Sequence, residues 1–172
     1  MTHDTPQNLA LRVIADMTGD AYLAESVKKL LDEGADLSYC DHNGVTMLYA
    51  AAVMNNPDIV SHLFQKGAVI TEADHKNGIL GEAAYWGFAD VCRLLLAHGA
   101  DPGAADAKGR TAMERLGKMP VNKQARAEIE KMFTEFCETK KMNAALKDAE
   151  DTSLRFSVTA ARRVTFKGGP KP

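Results

Sequence analysis

The chain has 172 residues, 45% of them apolar, with 21 Lys and Arg against 23 Asp and Glu. That composition excludes a chain disordered throughout, a wholly basic nucleic-acid binder and a disulfide framework, since its three cysteines lie far apart at Cys40, Cys92 and Cys137. No apolar run reaches the ~20 residues that cross a bilayer, and Met1 to Met17 shows no basic leader, so a cytoplasmic protein with reduced thiols is expected. The first predicted helix opens at Thr5-Pro6, an N-cap followed by proline, and carries Leu9, Val13, Ile14 and Met17. A second runs from Tyr22 to Leu31 and stops before Gly34. The small-residue run Tyr49-Ala50-Ala51-Ala52 predicts a short, close-packed helix, broken at Asn55-Asn56-Pro57. Ile59, Val60, Leu63 and Phe64 then give helical spacing up to Gly67. Ala83-Ala84 and the break at Gly87 repeat the short helix, and Val91, Cys92, Leu94 and Leu95 repeat the long one, up to Gly99. From Asn122 to about Lys147, Ile129, Met132, Phe133 and Phe136 share one face of a longer helix. Beyond Asp151 the alternation of Leu154, Phe156 and Val158 reads as an extended or mobile segment, stopped by Gly168-Gly169-Pro170.

These elements recur. Gly34, Gly67 and Gly99 are 33 and 32 residues apart, and Asp41, Asp74 and Asp106 keep the same step. Polar turns sit at each junction: Asp41-His42-Asn43-Gly44, Asp74-His75-Lys76-Asn77 and Asp106-Ala107-Lys108-Gly109. Each offers Gly or Asn where a tight turn needs positive φ. A period of about 33 residues, two helices and one turn resembles the ankyrin repeat family. The best match is Asp41-His42-Asn43-Gly44-Val45-Thr46-Met47-Leu48-Tyr49-Ala50-Ala51-Ala52, with Met47 and Tyr49 where the family has Pro and His. In the family that motif ties neighbouring turns together by hydrogen bonds. The third unit shows no such motif at Gly78-Ile79-Leu80-Gly81-Glu82 and is one residue short.

The resemblance implies an all-α solenoid of helix-turn-helix units with β-turn fingers. It places a repeat domain at 1–139, with units at about 8–40, 41–73, 74–105 and 106–138, then a helical extension at 140–151 and a basic flexible tail at 152–172. It also implies a non-catalytic module that binds a partner protein through the concave face of fingers and first helices. Carried over by position, that face comprises His42, Asn43, Val53 and Met54, then His75, Lys76, Tyr85 and Trp86 with Phe88 adjacent, then Lys108 and Arg110. Val45, Lys118 and Met119 are carried over with them. Trp86 is the only tryptophan, and aromatics make up 6% of the chain, so an exposed cluster there has the composition of an interface hot spot.

No phosphate loop, zinc-binding helix motif or nucleophile elbow is present, so no enzyme is expected. His42, His75 and Cys40 supply too few ligands for a metal site, and no cofactor, nucleic-acid partner or membrane contact is expected; the chain is read as a monomer. The net charge of −2 divides unevenly. Beyond Asp151 there are five basic and no acidic residues, and the preceding residues carry 16 basic and 23 acidic ones, a balance of −7. Within the tail, Arg163-Val164-Thr165-Phe166 resembles the docking peptide of the type-one serine/threonine phosphatase, which lies as a strand against a sheet edge. The alternative expectation is therefore a regulatory subunit that recruits or occludes such an enzyme through its tail.

Overall fold

A computed structural model describes residues 21–118 and 122–165, with 21–23 and 148–165 described by their backbone alone. Among the described residues eight helices follow one another: α1 (Ala21–Asp32), α2 (Met47–Val53), α3 (Pro57–Gln65), α4 (Glu72–Asn77), α5 (Ile79–Trp86), α6 (Ala89–Ala97), α7 (Ala112–Gly117) and α8 (Lys123–Thr165). Among the described residues no strand forms, and the only β-bridges are Cys40 to Thr46 and Ala105 to Thr111. The all-α expectation holds. The predicted helix at Leu9 to Met17 lies outside the described residues.

One period builds both layers. Ile59, Val60, Leu63 and Phe64 on α3 and Val91, Cys92, Leu95 and Leu96 on α6 are all buried, as are Val27 and Leu31 on α1. This i, i+1, i+4, i+5 spacing makes a stripe about 100° wide, which must face a neighbour. Accordingly α1 packs on α3 and α3 on α6. The second layer is α2 on α5 and α5 on α7, and α2–α3 and α5–α6 close each unit. Ala50, Ala51, Ala52, Ala83 and Ala84 are buried between the layers, and their size lets the helices approach. Each long helix ends at a left-handed glycine, with Gly34, Gly67 and Gly99 all at φ +92 to +93. There the amide of the next residue reaches back, as Ala68 N–H does to Leu63 O at 3.0 Å and Ala100 N–H to Leu95 O at 3.0 Å. Pro57 sits in the first turn of α3 beneath the Asn56 cap, as its missing N–H requires.

The fingers differ from expectation in one place. Asp41 accepts the N–H groups of Asn43 and Val45, each at 2.8 Å, and Asp106 accepts those of Lys108 and Arg110 at 2.8 and 2.9 Å. Both fingers turn at a positive-φ glycine three residues on, Gly44 and Gly109. The expected finger at Asp74-His75-Lys76-Asn77 is a helix instead, α4. Its third residue after the aspartate is Asn77, not glycine, and Thr71 and Asp74 form a capping box that nucleates a helix. His75 and Lys76 are therefore helical residues, not finger tips.

The tie between neighbouring turns is made by other groups. Asp74, fully buried, accepts Thr71 N–H and Thr71 Oγ1, each at 2.8 Å, and also the hydroxyl of Thr46 in the preceding unit. Asn77 Nδ2 donates to Gly44 O at 2.7 Å, and Ala107 N–H donates to Lys76 O at 3.0 Å. On the other layer, Asp32 meets Lys66 at 2.7 Å and His62 at 3.3 Å, and Arg93 meets Glu128 at 2.8 Å. The last pair sets the first turns of α8 beside α6, where Ile129 and Phe133 are fully buried.

Two compact units are distinguished, one ending at Phe133 and one beginning at Thr134. The sequence reading drew that division near 139. The backbone stays helical from Lys123 through Thr165, where the sequence pattern beyond Asp151 reads as an extended or mobile segment. No Gly or Pro occurs between Lys123 and Thr165, and the first breakers are Gly168-Gly169-Pro170. Among the described residues no helix is long and apolar enough to cross a membrane.

Candidate functional site

The first helices of the three units align through their caps. Ala50 N–H bonds Thr46 O, Glu82 N–H bonds Gly78 O and Arg115 N–H bonds Thr111 O, at 3.0, 2.8 and 3.1 Å. Ala50, Glu82 and Arg115 thus hold one position in successive units. The C-terminal ends align likewise. Asn56 N–H bonds Ala51 O at 3.0 Å and Phe88 N–H bonds Ala83 O at 2.9 Å, which makes Val53 equivalent to Tyr85 and Met54 to Trp86.

The row at Ala50, Glu82 and Arg115 carries the electrostatics. Arg115 Nη2 meets Glu82 Oε2 at 2.6 Å, with the arginine side chain 10% exposed. Its guanidinium carbon stands 5.4 Å from the centre of the Tyr85 ring, a cation–π distance. Arg115 Nε has no hydrogen-bond partner although it is buried. The close approach depends on Gly81, because a Cβ there would lie 2.7 Å from Arg115 Cδ. Burial pushes the Tyr49 hydroxyl up in pKa, and Glu82 adds to that while Arg115 opposes it.

Beside this pair stands the aromatic cluster. Tyr85 is half-buried, and its ring meets that of Trp86 edge-on, with centres 5.2 Å apart at 83°. Trp86 is 53% exposed and Met54 43%. A groove of about 220 Å³ is lined by Tyr85, Arg110, Glu114, Arg115 and Lys118.

The structure brings some of the predicted residues together and separates others. Tyr85 and Trp86 share α5, and Val53 and Met54 hold the equivalent places at the end of α2, Val53 half-buried. Phe88 lies beyond Gly87 as the cap residue of α6, off the helix that carries Trp86. His42 and Asn43 are exposed on their finger, with Asn43 Nδ2 3.1 Å from His42 Nε2. His75 is half-buried, and Lys76 is exposed and pairs with Glu72 at 3.7 Å. Lys108 is exposed, and Arg110 clasps Asp106 through Nε and Nη2 at 3.0 and 2.7 Å. Met119 lies outside the described residues. Arg163, Val164 and Thr165 form the end of α8, in helical rather than strand-like backbone, and Phe166 lies outside the described residues. Cys92 is buried, and burial pushes its thiol up to about 12.

Sequence reasoning missed Glu82, Arg115 and Glu114. The available signal was a charged residue where the neighbouring repeat has a buried alanine, visible only once the shortened third unit is aligned by its caps.

Asp106 links finger and site to pH. Burial alone would raise its pKa, but the Arg110 guanidinium and the Arg110 and Lys108 amides outweigh it and hold the carboxyl at about 2, against an ordinary 3.8. A depressed folded-state pKa contributes stability that is present above the unfolded value and lost as pH falls through the folded one. Unfolding midpoints in urea are therefore expected to fall between pH ~4 and ~2, and Asp106→Asn to flatten that limb. An unchanged acid limb in the variant contradicts this assignment.

A family profile described as ankyrin repeats, three copies, matches residues 15–113. Putative palmitoyltransferase ZDHHC13 of Danio rerio is 37% identical over 87 residues, which are 49% of this chain and 14% of that protein. Palmitoyltransferase ZDHHC13 of Homo sapiens is 36% identical over 87 residues, with the same coverage. The E3 ubiquitin-protein ligase hecd-1 of Caenorhabditis elegans is 32% identical over 80 residues, 46% of this chain and 3% of that protein.

Proposed function

Because the chain belongs to the ankyrin repeat family, we propose that it is a protein-binding module whose binding surface is the face of α2, α5 and α7, centred on Trp86. One observation carries this reading. In a chain with a single tryptophan, that residue is 53% exposed, backed edge-on by Tyr85 and matched by exposed Met54 in the neighbouring unit. Large aromatic surface held rigid by a partner ring loses little side-chain entropy on docking. Stacked helices of α2, α5 and α7 add a second source of preorganisation. The palmitoyl transfer and ubiquitin ligation in the relatives' names belong to proteins of which this chain spans 14% or less, and neither is carried over. The role proposed is non-catalytic.

Affinity capture with the full chain tests it. Trp86→Ala is expected to leave the melting temperature unchanged and to weaken capture of the partner roughly thirtyfold, the scale of a hot spot of about 2 kcal/mol. Val69→Ala, at an exposed loop position, is expected to capture as wild type. Equal capture by Trp86→Ala places the surface elsewhere.

A further inference from the structure

From the far half of α8 we infer that two copies of this chain pair as an antiparallel helix dimer, in place of the monomer expected from the sequence. The seam runs from Met142 to Val164 and turns about Ser153. This inference does not rest on the binding face proposed above.

The backbone is helical without a break from Lys123 to Thr165, and that continuity puts distant apolar positions in line. At about 100° per residue, positions 142, 146, 149, 153, 156, 160 and 164 fall within an arc of about 80° along roughly 33 Å of helix. They hold Met, Leu, Ala, Ser, Phe, Ala and Val. An arc that narrow, stepping by three and four, is the seam of a helix pair rather than the broad face of a helix packed on a core. Met142 and Leu146 are 60% and 58% exposed, so their own chain leaves most of their surface uncovered.

Two features name a second copy, turned end to end, as the occupant. The first is size. Turning the seam about position 153 sets Leu146 across from Ala160, Met142 across from Val164 and Phe156 beside Ala149. Large residues then meet smaller ones on both sides of Ser153, as close packing of two helices requires. A parallel pair in register would instead alternate thin layers, Ala149 on Ala149, with thick ones, Phe156 on Phe156. The second is charge. Residues 142–151 carry Lys147 against Asp148, Glu150 and Asp151, and residues 154–165 carry Arg155, Arg162 and Arg163 with no acid. Antiparallel pairing lays the basic half of each copy along the acidic half of the other, and parallel pairing lays like on like. Such a dimer carries two repeat domains, so a partner with two sites is held with avidity.

Sedimentation velocity of the full chain from about 1 to 100 µM tests the pairing. Wild type is expected to pass from one-chain to two-chain mass over that range. Leu146→Glu and Phe156→Glu each bring two charges into the seam and are expected to raise the dissociation constant at least ~30-fold. Val158→Glu, on the opposite side of the helix, and Trp86→Ala are expected to dimerise as wild type. Leu146 is exposed, so Leu146→Glu is expected to keep the melting temperature of the dilute wild-type protein. Direction is read by mixing Leu146→Cys and Ala160→Cys chains under mild oxidation, with peptide mass spectrometry expected to find position 146 joined to position 160. A link between two 146 positions, which antiparallel pairing holds about 21 Å apart, overturns the direction. Wild type that stays monomeric at the highest concentration, or dimers indifferent to both Glu variants, overturn the pairing. Monomers that bind phosphatidylserine vesicles, and lose them with Val158→Glu, overturn it in favour of an anionic lipid surface.

Discussion

Asp74→Ala is expected to lower the free energy of unfolding by about 3 kcal/mol. The carboxylate is fully buried and accepts three hydrogen bonds, from the Thr71 amide, the Thr71 hydroxyl and the Thr46 hydroxyl. Alanine leaves those donors without their acceptor around a fully buried position, and each unsatisfied buried donor costs on the order of 1–3 kcal/mol. The loss also spreads. Thr71 and Asp74 cap α4, and Thr46 caps α2 through the Tyr49 amide at 2.9 Å, so one residue stabilises two helix starts in two units. Asp74→Asn keeps one acceptor oxygen and is expected to cost about half as much. The double-mutant cycle with Thr46→Val isolates the link between units and is expected to show coupling above about 1 kcal/mol. Urea unfolding measures all five proteins, wild type included. A loss below about 1 kcal/mol for Asp74→Ala means that Thr46 and Thr71 find other acceptors.

Phe133→Ala is expected to cost about 4 kcal/mol, the usual range for emptying a fully buried phenylalanine site being 3–5 kcal/mol. The residue has no exposed surface, one turn after equally buried Ile129, and marks the end of the first compact unit. A stack of repeats exposes an apolar face at its last unit unless something covers it. The first turns of α8 supply that cover, with Glu128 paired to Arg93 beside them. Met142 lies further along the same helix but is 60% exposed, and Met142→Ala is expected to stay within about 0.5 kcal/mol of wild type. Equal stability of the two variants removes the capping role of α8.

Most of the architecture was legible because it follows from two strong local signals. Apolar pairs four residues apart fixed the buried faces of α3 and α6, and glycines at one step fixed where those helices stop. The third finger was misread for a physical reason. Asp74 holds the same place as Asp41 and Asp106, but a finger also needs a left-handed residue three positions later. Gly44 and Gly109 provide it, whereas position 77 is asparagine and Thr71 competes with a capping box. Thr71, three residues before Asp74, was a visible sign of that competition. The end of α8 was misread because a short alternation, Leu154, Phe156 and Val158, was weighed above the absence of any helix breaker. For the site, exposure of Trp86 was legible through the resemblance, which carries positions 85 and 86 onto the binding face. The Glu82–Arg115 pair was not, since the two residues align only after the missing residue of the third unit is placed.

The conversion of the third finger into α4 makes that unit hard to exchange. Its neighbours are joined to it through Thr46–Asp74 and Gly44–Asn77 on one side and through Lys76–Ala107 and Glu82–Arg115 on the other. A standard repeat grafted between residues 71 and 100 would restore a regular finger and sever those links together. Units two and four then have interchangeable parts in their turns, and unit three does not. Modularity, the property that lets repeat proteins be lengthened, shortened and recombined, stops in this chain at its third unit.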